Sequence, residues 1–147
     1  MSIKYIKQST VNRALRLHLR WLRNERHGKR LTVGLAISLK INWSKINLRS
    51  ANLSSADLRS ADLSWASTIN VRNLRVISCQ LNTSDQNRNI AYYPDFNLIT
   101  AGCFSGTLDE LKERVEEVHK KNNPTIYAKY QAVFTFIETV LKIEEEE

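Results

Sequence analysis

Between Ile41 and Trp65 the large apolar residues recur at every fifth position, a spacing that belongs to neither a helix nor a strand. The segment reads INWSK INLRS ANLSS ADLRS ADLSW. Trp43, Leu48, Leu53, Leu58 and Leu63 hold the central position, and Ile41, Ile46, Ala51, Ala56 and Ala61 stand two residues before it. Between them sits an Asn or Asp: Asn42, Asn47, Asn52, Asp57, Asp62. Ser, Arg and Lys dominate the two following places. This pattern predicts a chain that turns a corner every five residues, with two residues inward and three facing solvent. Four corners close a square coil of about 20 residues, and stacked coils pair backbone to backbone about 4.8 Å apart.

The frame runs backwards through Leu31/Val33 and Ala36/Ser38. Forwards it is expected to slip by three residues, with a bulged corner around Trp65–Thr68. Ile69/Val71, Leu74/Val76 and Cys79/Leu81 then resume the inward pairs. Ten pairs make about two and a half coils, a column about 12 Å tall. Its open apolar ends and sheet edges need caps.

The flanks supply them. Residues 11–25 predict an amphipathic helix, capped by Ser9 or Thr10 and stopped at Gly28. Val11, Ala14, Leu15, His18, Leu19, Trp21 and Leu22 fall on one side, and Arg13, Arg16, Arg20 and Arg23 on the other, with His27 continuing the row. Residues 90–104 predict a β-hairpin turning at Pro94-Asp95. Thr107 and Glu110 form a capping box for a helix to about Lys121 that buries Leu108, Leu111, Val115 and Val118. Asn122-Asn123-Pro124 breaks it. A last helix, about 125–143, carries Tyr130, Val133, Ile137, Val140 and Leu141 on one side, widened by Phe134 and Phe136.

The Ala-Asn-Leu and Ala-Asp-Leu triplets resemble the A(D/N)LXX signature of pentapeptide-repeat proteins, whose fold is a right-handed quadrilateral β-helix. Nearly the whole chain further resembles small pentapeptide-repeat proteins encoded by tailed bacteriophages and prophages. In that group a basic N-terminal helix with a Trp-Leu step leads into the repeats. The stretches Gly102-Cys103-Phe104, Gly106-Thr107-Leu108-Asp109-Glu110 and Glu117-Val118-His119 match its C-terminal pattern. The expected class is therefore mainly β. A capping helix spans 1–30, a short right-handed quadrilateral β-helix 31–82, and a hairpin with two helices 83–147. The resemblance brings no biochemical activity with it.

Charge sharpens the picture. The 147 residues carry a net charge of +7. Residues 1–75 hold 15 Lys and Arg against 3 acids, net +12, and residues 76–147 hold 7 against 12, net −5. The two parts present opposite fields. No apolar run approaches the roughly 18 residues of a membrane span, and the N-terminus lacks the order of a signal peptide. Cys79 and Cys103 make no disulfide framework and no metal spacing. A cytoplasmic place in a bacterial host is the expectation.

Catalytic candidates are few. His18, His27 and His119 lie on separate segments, and His18 reads as a packing residue of the first helix. There is no carboxylate pair at catalytic spacing and no glycine-rich phosphate loop. Cys79 reads as a small core residue and Cys103 as a strand-end thiol. The protein reads as a non-enzyme, with no metal and no cofactor.

The leading expectation is a phage-encoded, non-catalytic protein, monomer or homodimer. It would inhibit a host or defence complex, for example CRISPR-type, by surface contact. The candidate contact residues are Arg13, Arg16, Arg20, Arg23, Arg49 and Arg59, and the candidate repeat core is Trp43, Leu48, Leu53, Leu58 and Leu63. One alternative is nucleic-acid binding along the arginine row. A polar outer face on a capping helix accounts for the same row without any phosphate. Trp21, expected to point inward, offers no stacking platform. A second alternative, modulation of a DNA topoisomerase, rests on analogy alone. Duplex mimicry needs an acidic rod, whereas residues 31–81 carry six bases (Lys40, Lys45, Arg49, Arg59, Arg72, Arg75) against Asp57 and Asp62.

Overall fold

The structure, a computed structural model, describes residues 7–32, 42–53, 58, 61–83 and 87–147. Val33, Ala36, Ser38, Ile41, Ala56, Asp57 and Arg59 lie outside the described residues. The chain divides into two compact units, Met1–Arg75 and Val76–Glu147.

The first unit opens with α1, Gln8–Leu22. It begins earlier than Ser9 or Thr10 would place it, with Lys7 at the N-cap and no side-chain cap. It ends before Gly28, because Asn24 takes a left-handed φ of 56° and turns the chain. After it the chain meets itself at intervals of 20 residues. Parallel bridges join Thr32 to Asn52, Asn42 to Asp62, Asn47 to Ser67 and Asn52 to Arg72. Asn52 N–H donates to Leu31 O at 2.9 Å and Arg72 N–H to Ala51 O at 2.8 Å.

Three of the described corners share a local cause. The side-chain oxygens of Asn42, Asn47 and Asp62 accept the backbone N–H of Ser44, Arg49 and Ser64 at 2.8, 3.0 and 2.9 Å. Asn and Asp suit the place because their short side chains reach the amide two residues on. The chain then closes a four-residue turn: Ala51 N–H donates to Leu48 O, Ala66 to Leu63 O and Val71 to Thr68 O. The third residue of these turns is left-handed, at Ser50 (φ 57°), Trp65 (62°) and Asn70 (54°). That conformation costs a non-glycine residue roughly 1–2 kcal/mol. The turn bond, joined by the hook at Ser50 and Trp65, offsets it, each bond being worth about 0.5–1.5 kcal/mol net. Trp43, Leu48, Leu53, Leu58 and Leu63 are buried, none more than 2% exposed, beside Ala51 and Ala61.

The expected class is corrected here. Helices of 15, 12 and 22 residues outweigh strands of 6, 7, 4 and 3. The only extended sheet among the described residues is open and antiparallel. With much of each described five-residue unit bent into its turn, pairing between repeats among the described residues stays at isolated bridges and builds no strand. Among the described residues the chain is thus three helices and a four-stranded antiparallel sheet, not a mainly β solenoid with caps.

The three-residue slip is absent too. Ser67 and Arg72 occupy bridges in phase with Asn47, Asn52 and Asp62. Ala66 fills the small buried position, whereas Ile69, expected inward, is 60% exposed. Bulk at Ile69 and Val71 suggested the shifted frame, but a small alanine suits the tight corner.

The second unit holds an antiparallel meander of β1 (Ile77–Asn82), β2 (Asn87–Tyr93), β3 (Leu98–Ala101) and β4 (Phe104–Gly106), in that order. Cys79 and Leu81 therefore belong to β1, opposite Ile90 and Arg88 of β2, and not to the repeats. Between β2 and β3 a 3-10 turn, Pro94–Phe96, leads to left-handed Asn97, whose Oδ1 accepts from Tyr92 Oη at 3.1 Å. Helix α2, Leu108–His119, starts at the capping box. Glu110 N–H donates to Thr107 Oγ1 at 3.2 Å, and Thr107 N–H donates to Glu110 Oε2 at 2.7 Å. Helix α3, Pro124–Glu145, is capped by Asn123, which accepts from Ile126 N–H at 3.1 Å.

One face of the meander (Ile77, Ile90, Tyr92, Ile99, Ala101) packs with Leu108, Leu111 and Val115 of α2 and Tyr130, Val133, Phe134 and Ile137 of α3. Val118 and Phe136, both expected in the core, are 45% and 44% exposed. Each lies off the helix stripe that meets the sheet.

Two substitutions test this packing. Leu53→Asp places a charge at a site 2% exposed and should cost several kcal/mol, enough to abolish cooperative melting of the first unit. Thr107→Ala removes the cap and should lower stability by about 1 kcal/mol. An unchanged melting temperature would place the start of α2 elsewhere.

Candidate interaction surface

Helix α1 is held by polar contacts at both ends. Gln8 clamps Asn42: Asn42 N–H donates to Gln8 Oε1 at 2.9 Å. Near its other end His18 is fully buried. Leu31 N–H donates to His18 Nδ1 at 3.0 Å, so that nitrogen carries a lone pair. The proton then sits on Nε2, which donates to Arg49 O at 3.0 Å. The imidazole stacks on Trp21 with ring centres 5.7 Å apart. The Arg30 guanidinium lies 5.8 Å from the Trp21 ring centre, and Arg30 Nε donates to Ser50 O at 2.8 Å. Nothing larger than glycine fits at 28, where a Cβ would stand 2.4 Å from Trp21 N.

These contacts set the outer face of α1. Arg13, Arg16, Arg20 and Arg23 are all exposed. Arg20 and Arg23 share Glu25, at 3.5 and 3.8 Å. Exposed pairs of this kind are worth about 0–1 kcal/mol and leave most of the positive field in place. Arg13 and Arg16 have no ion pair among the described residues. Arg49, exposed and held by His18 through its own carbonyl, lines a shallow polar cleft of about 380 Å³ with Trp21, Leu22, Asn47 and Ser50. The structure thus brings Arg49 to the end of α1.

Trp21 departs from expectation. It is 39% exposed, and Leu19 36%, so the apolar side of α1 is narrower than its sequence suggests. His18 and Val11 are the residues of α1 that are buried outright. The helix spends its limited contact area on the imidazole, and Trp21 is left at the rim of the cleft. Sequence reasoning placed His18 in the packing but missed its two bonds, and missed Gln8 and Arg30 altogether. No local pattern announces a bond between residues 13, 31 or 34 positions apart.

Other reactive groups belong to the second unit. His119 stacks on Tyr130, ring centres 5.9 Å apart, in the second unit. Burial raises the Tyr130 hydroxyl and Cys79 thiol pKa values. Cys103 is exposed. Among the described residues no three His, Cys, Asp or Glu side chains group to hold a metal, and no helix is long and apolar enough to cross a membrane.

Burial holds the His18 pKa below 6.5, aided by the Arg30 charge and opposed by the bond to Arg49 O. The unfolded chain therefore binds the proton more readily than the folded one. Stability from His18 is fully present above about pH 6.5 and is lost as pH falls toward the lowered folded value. The melting temperature of the first unit should drop on acidification through this window. His18→Gln should flatten that part of the profile relative to wild type.

No curated protein and no solved structure matches the chain. Residues 40–67 match the family model described as pentapeptide repeats (8 copies), and this middle segment of the chain is therefore similar to the repeats of that family.

Proposed function

We propose that the protein is a non-catalytic binding protein that acts by surface contact, as a phage-encoded inhibitor of a host or defence protein complex, for example CRISPR-type. Pentapeptide repeats serve generally as protein-interaction modules. One observation carries the reading. The first unit sets four exposed arginines on one helix and a fifth, Arg49, at its end, within a segment of net charge +12. Such a face steers and orients an acidic partner surface. Arg13, Arg16, Arg20, Arg23 and Arg49 are the contact residues in this reading, and Arg59 belongs to the same basic part of the sequence. Support for the phage source is the sequence pattern around Gly102-Cys103-Phe104 and Thr107-Leu108.

A second reading, nucleic-acid binding, is favoured by Trp21. A half-exposed indole beside Arg49 gives a base something to stack on while arginines take the phosphates.

Changing Arg13, Arg16, Arg20 and Arg23 to Gln keeps helix propensity and removes four charges. On the leading reading, wild type captures a protein from nuclease-treated bacterial lysate and the variant does not. Wild type should hold oligonucleotides only weakly at physiological salt. If nuclease abolishes capture, and oligonucleotide binding is tight with a log–log salt slope that shrinks by about 0.9 per lost phosphate contact, nucleic acid is the partner.

A further inference from the structure

Gly102 and Cys103 form the two-residue turn between β3 and β4, closed by the pair Ala101 and Phe104. Gly102 is left-handed, with φ 60°, as a tight hairpin turn asks of its first residue. Arg88 stands two residues before Ile90, the partner of Ala101, and on the same face of β2. Its guanidinium rests against the turn, so that a Cβ at Gly102 would run into its Nη1. Tyr130 of α3 approaches from the helix layer, its ring stacked on that of His119 at the end of α2. Tyr130 is only 6% exposed, yet its hydroxyl makes no hydrogen bond among the described residues. Burial, the Arg88 cation and the Cys103 sulfur all bear on that hydroxyl. Burial and Cys103 hold it protonated against the pull of Arg88, which leaves an O–H donor without an acceptor beside an exposed thiol. Buried polar groups are as a rule hydrogen-bonded, so a donor left over points to a missing partner.

We propose that Cys103, Arg88 and Tyr130 form a thiol-exchange site for small disulfides that carry carboxylates. Exchange needs an accessible sulfur, a charge that collects the reagent and a donor for the departing sulfur, and these are the three groups present. Cys103 Sγ, having given its proton to solvent, attacks one sulfur of the disulfide. A new S–S bond to Cys103 forms as the old one breaks, and the electron pair of the old bond leaves on the departing sulfur. That thiolate then takes a proton from solvent and goes as a free thiol. Cys103 is oxidised to a mixed disulfide and the released half is reduced, so no further oxidant enters. Arg88 pairs with a carboxylate of the disulfide, and the Tyr130 O–H donates to the departing sulfur where negative charge develops. His119, stacked on Tyr130, positions that ring. The exchange is stoichiometric, belongs to the second unit and is independent of the arginine face of α1.

The test uses the full chain carrying Cys79→Ser, which leaves Cys103 as its one thiol. Mass spectrometry follows adduct formation with oxidised glutathione, which is anionic, and with cystamine, which is cationic, and N-acetylcysteine serves as the free-thiol reference. Cys103 should prefer the anionic disulfide over the cationic one by about ten-fold more than the reference does. Arg88→Gln should bring that preference down to the reference value. Tyr130→Phe should slow both disulfides alike, by roughly ten-fold, and leave the preference in place. Should Arg88→Gln fail to fold, salt replaces it: the preference should vanish at about 1 M, where charges are screened within roughly 3 Å. A preference equal to that of N-acetylcysteine overturns the proposal. So does one that survives both Arg88→Gln and salt, and so do rates that Tyr130→Phe leaves untouched.

Discussion

Three of the described corners in the first unit depend on one small bond, from a backbone N–H to the Asn or Asp side chain two residues earlier. At Asn42, Asn47 and Asp62 this hook bends the chain just after the residue that bridges to another repeat. It holds the backbone amide two residues on and leaves the residue after that free to go left-handed. The bridges can then recur at one spacing, and the intervening leucines stack inward. An apolar residue in the hook position would lose the corner as well as the bond, and with it the register of the bridges on either side.

His18 plays the matching part for the helix. A lysine or arginine could not replace it, since the site needs an acceptor for Leu31 N–H and a donor for Arg49 O on one flat, buried ring. Neutral imidazole supplies both. The same demand explains why α1 turns its contact area toward His18 and leaves Trp21 at the rim, where Arg30 lies near the indole. The cationic face is a consequence of this docking: once the imidazole is buried, the helix rotation is fixed, and Arg13, Arg16, Arg20 and Arg23 fall on the exposed side.

The second unit obeys different rules. Its capping box, its proline at the start of α3 and its left-handed Asn97 are local devices, and each begins or bends an element where its residues stand. Packing of the sheet on two helices then selects among the apolar residues. Phe134 enters the core and Phe136, two residues on, cannot, because a helix turns about 200° between them.

The five-residue period, the helices at 108 and 124 and the hairpin at Pro94 were legible in the sequence. Each follows from residues within a few positions of one another. Three features were not legible. Cys79 and Leu81, two residues apart, suit an inward pair of the repeat and one face of a strand equally well, and only the presence of β2 across from them decides. The balance of helix over strand followed from how little of each repeat remains straight after its hook and turn. The exposure of Trp21 followed from a bond between His18 and a carbonyl 31 residues away. Local chemistry sets where a chain bends, whereas pairing and burial depend on groups that meet only after folding, and the sequence carries no short-range record of them.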